Sequence, residues 1–197
     1  MSATNDRSIA DLRKQMKILA DEVRALRDCE EIRQAMYTYA RGVDRGDSEL
    51  LAPAFHNDAY DDHGNFKGDK ATALAHLKRS AEVKEITASF HHIGNILIDL
   101  KGDEADVETY FMASQRREDG GKSYTRMRAG RYLDHFVRRD GIWRVLKRRV
   151  VDDWSRLDEV VATAREVGPN NNHGTRDRND LSYTVEGFLQ SRKGPAS

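Results

Sequence analysis

Tyr39-Ala40-Arg41-Gly42-Val43-Asp44 and Phe90-His91-His92-Ile93-Gly94-Asn95 set a phenol, a carboxylate and imidazoles among apolar residues. A neutral imidazole accepts a proton near neutral pH, and an ionised carboxylate beside it stabilises the imidazolium that results. The residues alone leave two readings open: a proton-transfer pair, or an unrelated Asp and His in a chain with 33 acids and 7 histidines. A third group, Ala59-Tyr60-Asp61-Asp62-His63-Gly64, raises the question of a metal. It lacks an EF-hand register and a His-x-x-x-His pair, so it predicts a short strand running into a turn. Cys29, beside a helix start, reads as a small core residue rather than a nucleophile.

These groups are useful only where secondary structure brings them together. Leu12, Met16, Leu19, Val23 and Leu26 draw a narrow stripe along a first helix, suited to packing on another helix or subunit. Asp28 and Glu31 resemble a capping box that restarts the helix. Ile32, Met36, Tyr39 and Val43 then continue toward the core, and Gly46 ends the helix just after Asp44. A short helix capped by Asp47 follows, with Leu50, Leu51 and Phe55 as its apolar face, and residues 69–84 read as helical through Ala73, Leu74 and Leu77.

From Ser89 the hydrophobic period becomes two. Segments near 89–100, 104–117, 122–139 and 142–154 are separated by Lys101-Gly102-Asp103, Glu118-Asp119-Gly120-Gly121 and Arg139-Asp140-Gly141. Four strands joined by tight turns make an antiparallel meander. The predicted class is α+β: a curved antiparallel sheet wrapped over amino-terminal helices, apolar inside and charged outside, with a pocket at its open end. Strict alternation along the last strand puts Trp143, Val145 and Lys147 on one face and Leu146, Arg148 and Val150 on the other. Beyond Trp154, Leu157, Val160 and Val161 return at helical spacing, and the run from Gly168 to Gly174 breaks any helix. Leu181, Tyr183, Val185 and Phe188 then suggest that residues 180–190 pack on the body of their own or a neighbouring subunit. The organisation expected is an amphipathic helix over 1–27, a domain over 28–155 and an extension over 156–197.

Composition removes several function classes. Lys plus Arg and Asp plus Glu are both 33, so no global field draws nucleic acid or an acidic membrane. Arg144, Lys147, Arg148 and Arg149 beside Trp143 read as the charged side of a strand rather than a nucleic-acid patch. One cysteine cannot form an internal disulfide, and no apolar stretch approaches the roughly 20 residues of a membrane span. With no apolar signal core after Met1, a cytoplasmic protein is expected. There is no Gly-rich phosphate loop, nucleophile elbow or metal signature, so hydride and phosphoryl transfer are not expected and no cofactor is predicted. The first helix's stripe and the outer face of the meander predict a homo-oligomer.

The order of elements and several motifs resemble the SnoaL-like family of the nuclear transport factor 2-like superfamily, whose fold is a cystatin-like cone. Besides Tyr39-x-Arg41-x-x-Asp44 and His91-His92-x-Gly94-Asn95, the resemblance rests on Gly102-Asp103-x-Ala105, Glu108-Thr109-Tyr110, Gly130-Arg131-Tyr132 and Arg139-Asp140-Gly141-x-Trp143. It spans roughly residues 25 to 155, and it implies a homodimer or homotrimer. Members with dehydratase-like chemistry, such as scytalone dehydratase, bile acid 7α-dehydratase and hexachlorocyclohexane dehydrochlorinase, pair an Asp at the helix end with a His on the first long strand. Aligned on Asn95, the resemblance gives that role to His91 with Asp44 as partner. His92 is the alternative, because neighbours on a strand face opposite sides.

The resemblance further implies that Tyr39 polarises a carbonyl or assists a leaving group, and that Arg148, five residues after Trp143, stabilises departing or developing negative charge. The acid that the bile acid enzyme carries on the second long strand has no counterpart at Met112 or Ala113. The implied activity is a cofactor-independent lyase or isomerase, dehydratase-like, acting on a cyclic hydrophobic small molecule. The alternatives are a polyketide cyclase, an epoxide hydrolase, which needs an Arg held between two Asp groups, or a non-catalytic ligand-binding or oxygenase-subunit-like protein.

Overall fold

No glycine or proline occurs before Gly42, and nothing in that stretch interrupts a helix. In the computed structural model, which describes residues 2–64, 66–160 and 171–185, helix α1 therefore runs unbroken over Ser2–Arg45. The expected restart at Asp28 does not occur. Asp28 is buried, and its Oδ1 accepts hydrogen bonds from Trp143 Nε1 and Arg138 Nη1, both at 2.9 Å. The carboxylate ties the helix to the sheet instead of capping a new turn. Leu12, Met16, Leu19, Val23 and Leu26 remain exposed within the single chain.

Helix α1 ends where a backbone with positive φ is needed. Gly46 has φ of 61°, and the Asp47 N–H returns to the Gly42 carbonyl at 2.9 Å, closing a Schellman-type end. Helix α2 (Ser48–Leu51), capped by the Asp47 carboxylate, and a 3-10 turn over Ala52–Ala54 lead into strand β1 (Phe55–Asp62). Strand β2 (Lys67–Asp69) precedes helix α3 (Lys70–Ala81), capped by Asp69. The meander follows as β3 (Ile86–Lys101), β4 (Glu104–Asp119), β5 (Lys122–Arg139) and β6 (Ile142–Glu159).

The six strands form one mixed sheet in the order β2-β1-β6-β5-β4-β3. The meander is antiparallel as expected, but β1 joins β6 in parallel, which the sequence pattern did not anticipate. The sheet curls over α1. Ile32, Met36 and Tyr39 pack there with Phe55, Val107, Phe111, Tyr132, Phe136, Trp143 and Val145.

Two departures from strict strand periodicity shape the interior. Between His135 and Phe136 the register on β6 jumps from Lys147 to Val145, which leaves Leu146 as an extra residue. This bulge restarts the alternation. Trp143 and Val145 are buried, and so is Arg148, while Lys147 and Arg149 face solvent. The two-face assignment for this strand is thereby corrected. A second register shift, at Ala129 and Gly130, brings the Val151 carbonyl so close to Gly130 that a Cβ there would stand 2.1 Å from it. Only glycine fits.

Beyond Trp154 the chain continues as strand to Glu159, paired with the start of β5, rather than turning helical at Leu157. Val161 and Phe188 lie outside the described residues. The segment 171–185, which contains the short helix α4 (Leu181–Thr184), sits against the ends of α1 and α3 through polar groups. Arg176 donates to the carbonyls of Ile86 and Ser80, and Arg178 and Tyr183 both donate to Asp47. Leu181 and Val185 are exposed, so apolar burial is not what holds the described part. No helix among the described residues is long and apolar enough to cross a membrane.

Candidate active site

Asp44 lies in the last turn of α1, where the helix dipole disfavours a negative charge. Three donors from the start of β3 compensate. Asp44 Oδ1 accepts from His91 Nδ1 at 2.6 Å and Ser89 Oγ at 3.0 Å, and Oδ2 accepts the His91 backbone N–H at 2.8 Å. Burial pushes the carboxyl up. The hydrogen bonds and charge of His91, with help from Ser89, outweigh that and hold it below its ordinary value. Asp44 is 7 % exposed, so an ionised carboxylate is fixed against one edge of the His91 ring. With Nδ1–H donating to Asp44, the lone pair of the neutral ring is on Nε2.

The His91 ring lines a cavity of about 90 Å³ between the curled sheet and helices α1 and α3. Tyr39 and Val43 of α1, His76 and Leu77 of α3, Phe111 of β4 and Tyr132 of β5 also line it. His92 points to the other side of β3 and is exposed, as strand alternation requires. The Tyr39 ring packs edge-on against Phe55 and Tyr132, at 5.8 Å between centroids in each case. Burial pushes its phenol up to about 12, partly countered by the charge of Arg148. Near neutral pH Tyr39 is therefore a hydrogen-bond donor.

Arg148 is not part of the cavity wall. Its side chain is fully buried behind the two tyrosines, with Cζ 4.2 Å from the Tyr39 centroid and 4.5 Å from that of Tyr132. Nε and Nη2 donate to the two oxygens of Asp134, each at 2.7 Å. Burial works against the guanidinium charge, but Asp134 outweighs it and keeps Arg148 above its ordinary value. Asp61 also acts on this charge, so an Arg does stand near two Asp groups, though sealed from the cavity. The bulge at Leu146 is what turns Arg148 inward.

The sequence reading placed His63 in a turn and passed over His76, yet both line the cavity. His63 Nδ1 lies 2.7 Å from Oδ1 of the buried Asp61. The signal was present as Asp61-x-His63, a spacing that puts both side chains on one face of an extended chain. Among the described residues no cluster of His, Cys, Asp and Glu is arranged to hold a metal ion. A broader groove of about 800 Å³ crosses the outer face of the sheet between Leu97, Leu133, Lys147 and Arg149, away from His91.

A curled sheet closed by helices, with its cavity between them, defines an α+β cone of the nuclear transport factor 2-like class. Within that class the chain belongs to the SnoaL-like family, whose domain model matches residues 24–149. Among solved structures it is similar to a type 2 hexachlorocyclohexane dehydrochlorinase (TM-score 0.63, 17% identity, covering 76% of this chain and 99% of that one). It is also similar to a putative scytalone dehydratase from Novosphingobium aromaticivorans (TM-score 0.60, 24% identity, 75% and 97%). A third, from the same organism, is a nuclear transport factor 2-like protein with a cystatin-like fold (TM-score 0.53, 26% identity, 67% and 86%). No curated protein matches the chain by sequence. The scaffold is thus one used by dehydratase-type and dehydrochlorinase-type proteins.

Proposed function

We propose that this protein is a cofactor-independent lyase of the dehydratase type, with His91 as the base. The observation that carries the reading is the carboxylate of Asp44 fixed on Nδ1 of a ring that lines a cavity of mixed polar and apolar walls. Nε2 removes a proton from a carbon beside a carbonyl, and Asp44 stabilises the imidazolium. Tyr39 donates to the carbonyl oxygen as negative charge builds there. Arg148 acts as a positioning residue behind Tyr39, where its charge favours electron density on the phenol oxygen's partner. The leaving group departs from the neighbouring carbon as the double bond forms. Returning the proton to a different carbon instead would make the same machinery an isomerase.

The cavity limits the substrate. A void of about 90 Å³ is smaller than the roughly 150 Å³ that accommodates benzene in an engineered core. A cyclic substrate of one ring must displace a lining side chain or extend past Gln115, Arg126 and Arg128 at the sheet side of the cavity. An epoxide hydrolase is not supported, because the Arg148–Asp134 pair is closed off by the tyrosine rings.

The test is turnover of cyclic hydroxy-ketones and halogenated rings by the purified protein, read by product mass. His91→Ala and Asp44→Asn should each lower turnover about a hundredfold, the scale of acid–base contributions. Rates unchanged by either substitution would remove the pair from the chemistry, and no turnover of any of these compounds by the unsubstituted protein would leave a ligand-binding protein.

A further inference from the structure

The proton taken by His91 is only half of an elimination. When the leaving group is hydroxide, a second group must protonate it, whereas chloride departs unassisted. The cavity holds two other imidazoles, His63 and His76, and they are in different environments. Burial, with the neighbouring charges of His63 and Arg79, holds His76 below its ordinary value, which makes it a poor source of a proton. His63 has a carboxylate partner instead. Its Nδ1 meets Asp61 Oδ1 at 2.7 Å, and Asp61 is 1 % exposed, so a buried carboxylate stands on Nδ1 of this ring as Asp44 does on His91, while Asp61 Oδ2 has no hydrogen-bond partner among the described residues.

The placement is what an acid opposite a base requires. His91 comes from β3 at one edge of the sheet, and His63 directly follows β1, next to the other edge. Curling of the sheet over α1 brings the two rings to one cavity. The His63 ring is held from behind by stacking on Phe66 at 5.3 Å, and Phe66 in turn stacks on His76 at 4.6 Å. Its backbone N–H is fixed to the Phe66 carbonyl at 2.8 Å. Asp61 also stands close enough to the buried Arg148 guanidinium to act on its charge.

We infer that Asp61 and His63 form a second acid–base pair, in which His63 protonates a departing hydroxyl while His91 takes the α-proton, and that the natural substrate is a β-hydroxy carbonyl compound. This rests on the elimination reading above. The Cα–H bond breaks to His91 Nε2, its electron pair forms Cα=Cβ, and the Cβ–O bond breaks with the proton from His63, releasing water. The enzyme is left with His91 protonated and His63 neutral, and exchange with solvent resets both. Asp61 is a positioning residue, touching His63 and not substrate.

The experiment compares two probes that yield the same product: 3-hydroxycyclohexanone and 3-chlorocyclohexanone both give cyclohex-2-enone, followed by its absorbance. On the full-length protein, His63→Gln should lower elimination of the hydroxy ketone about a hundredfold more than elimination of the chloro ketone. Asp61→Asn should show the same leaving-group dependence, and serves if the glutamine variant folds poorly. Equal losses on both probes, or none on either, overturn the role of His63 while leaving His91 as base. If the wild-type protein eliminates neither probe faster than His91→Ala does, the elimination reading itself fails, and this inference with it.

Discussion

Asp44→Asn is the substitution in which structure and chemistry separate most cleanly. Asp44 accepts at both oxygens: Oδ2 from the His91 backbone N–H, and Oδ1 from His91 Nδ1 and Ser89 Oγ. An asparagine has one acceptor oxygen and one donor nitrogen, so it can satisfy only one of those two sides. With its NH₂ toward the backbone, it sets donor against donor and leaves a buried N–H without a partner, at a cost of about 1–3 kcal/mol. With its NH₂ toward the ring, the backbone bond is kept and the Ser89 hydroxyl rotates to accept. Nδ1 must then accept as well, which moves the ring proton to Nε2. The second orientation is favoured, and it places a hydrogen where the base needs its lone pair.

The expected result is a modest loss of stability beside a large loss of turnover. Replacing charge-assisted hydrogen bonds by neutral ones costs about 1.5–3 kcal/mol, read from urea denaturation. Turnover of 3-hydroxycyclohexanone should fall at least a hundredfold, and ¹⁵N chemical shifts of the His91 ring should move from the Nδ1–H to the Nε2–H tautomer. Retained turnover with an Nε2–H ring, or an Nδ1–H ring in an inactive variant, would refute the tautomer argument.

The same carboxylate gives stability a pH dependence. Because Asp44 is held below its ordinary value of 3.8, its contribution is complete above that pH and is lost as pH falls through the folded value. The urea midpoints of wild type and Asp44→Asn should accordingly keep their difference down to about pH 4 and converge on further acidification, and a difference still constant at about pH 2 would count against it. Asp134→Ala strands the fully buried Arg148 without its carboxylate and should cost about 3–5 kcal/mol by urea denaturation; a loss under about 1 kcal/mol would show the pair to be dispensable. Removing all residues after Gly168 takes away the bonds from Arg176 to Ser80 and Ile86 and from Tyr183 to Asp47. The truncated protein should keep a native circular dichroism spectrum yet bind ligand or self-associate more weakly by calorimetry and light scattering, and equality in both would make the segment dispensable.

What could be seen in the sequence was whatever a local period encodes. The four meander strands and the ends at Gly46 and Asp69 follow from alternation, caps and turn residues, each decided within a few positions of chain. Asp44 and Tyr39 could be placed near a helix end on the same grounds. Features set by distant partners could not. Asp28 looks like a cap because Glu31 follows at the right spacing, yet its carboxylate is taken by Trp143 and Arg138 more than a hundred residues away. The parallel pairing of β1 with β6 leaves no periodic trace, since either strand reads the same with its neighbour in either direction.

Arg148 and His63 show why the candidate site was less legible than the fold. Alternation counts residues, and a single bulge at Leu146 changes the count, so the inward turn of Arg148 depends on one extra residue whose presence is fixed by register against β5. Asp61 and His63 fail differently. Their spacing is readable, but it has the same appearance whether the pair closes a surface turn or faces a cavity, and only the parallel docking of β1 on β6 decides between the two. That docking also sets Asp61 within range of the Arg148 charge. The guanidinium thus stands behind both the phenol of Tyr39 and the carboxylate of Asp61. One buried cation, itself balanced by Asp134, supports two different walls of the cavity, which is why its loss should disturb the site although it touches nothing bound there.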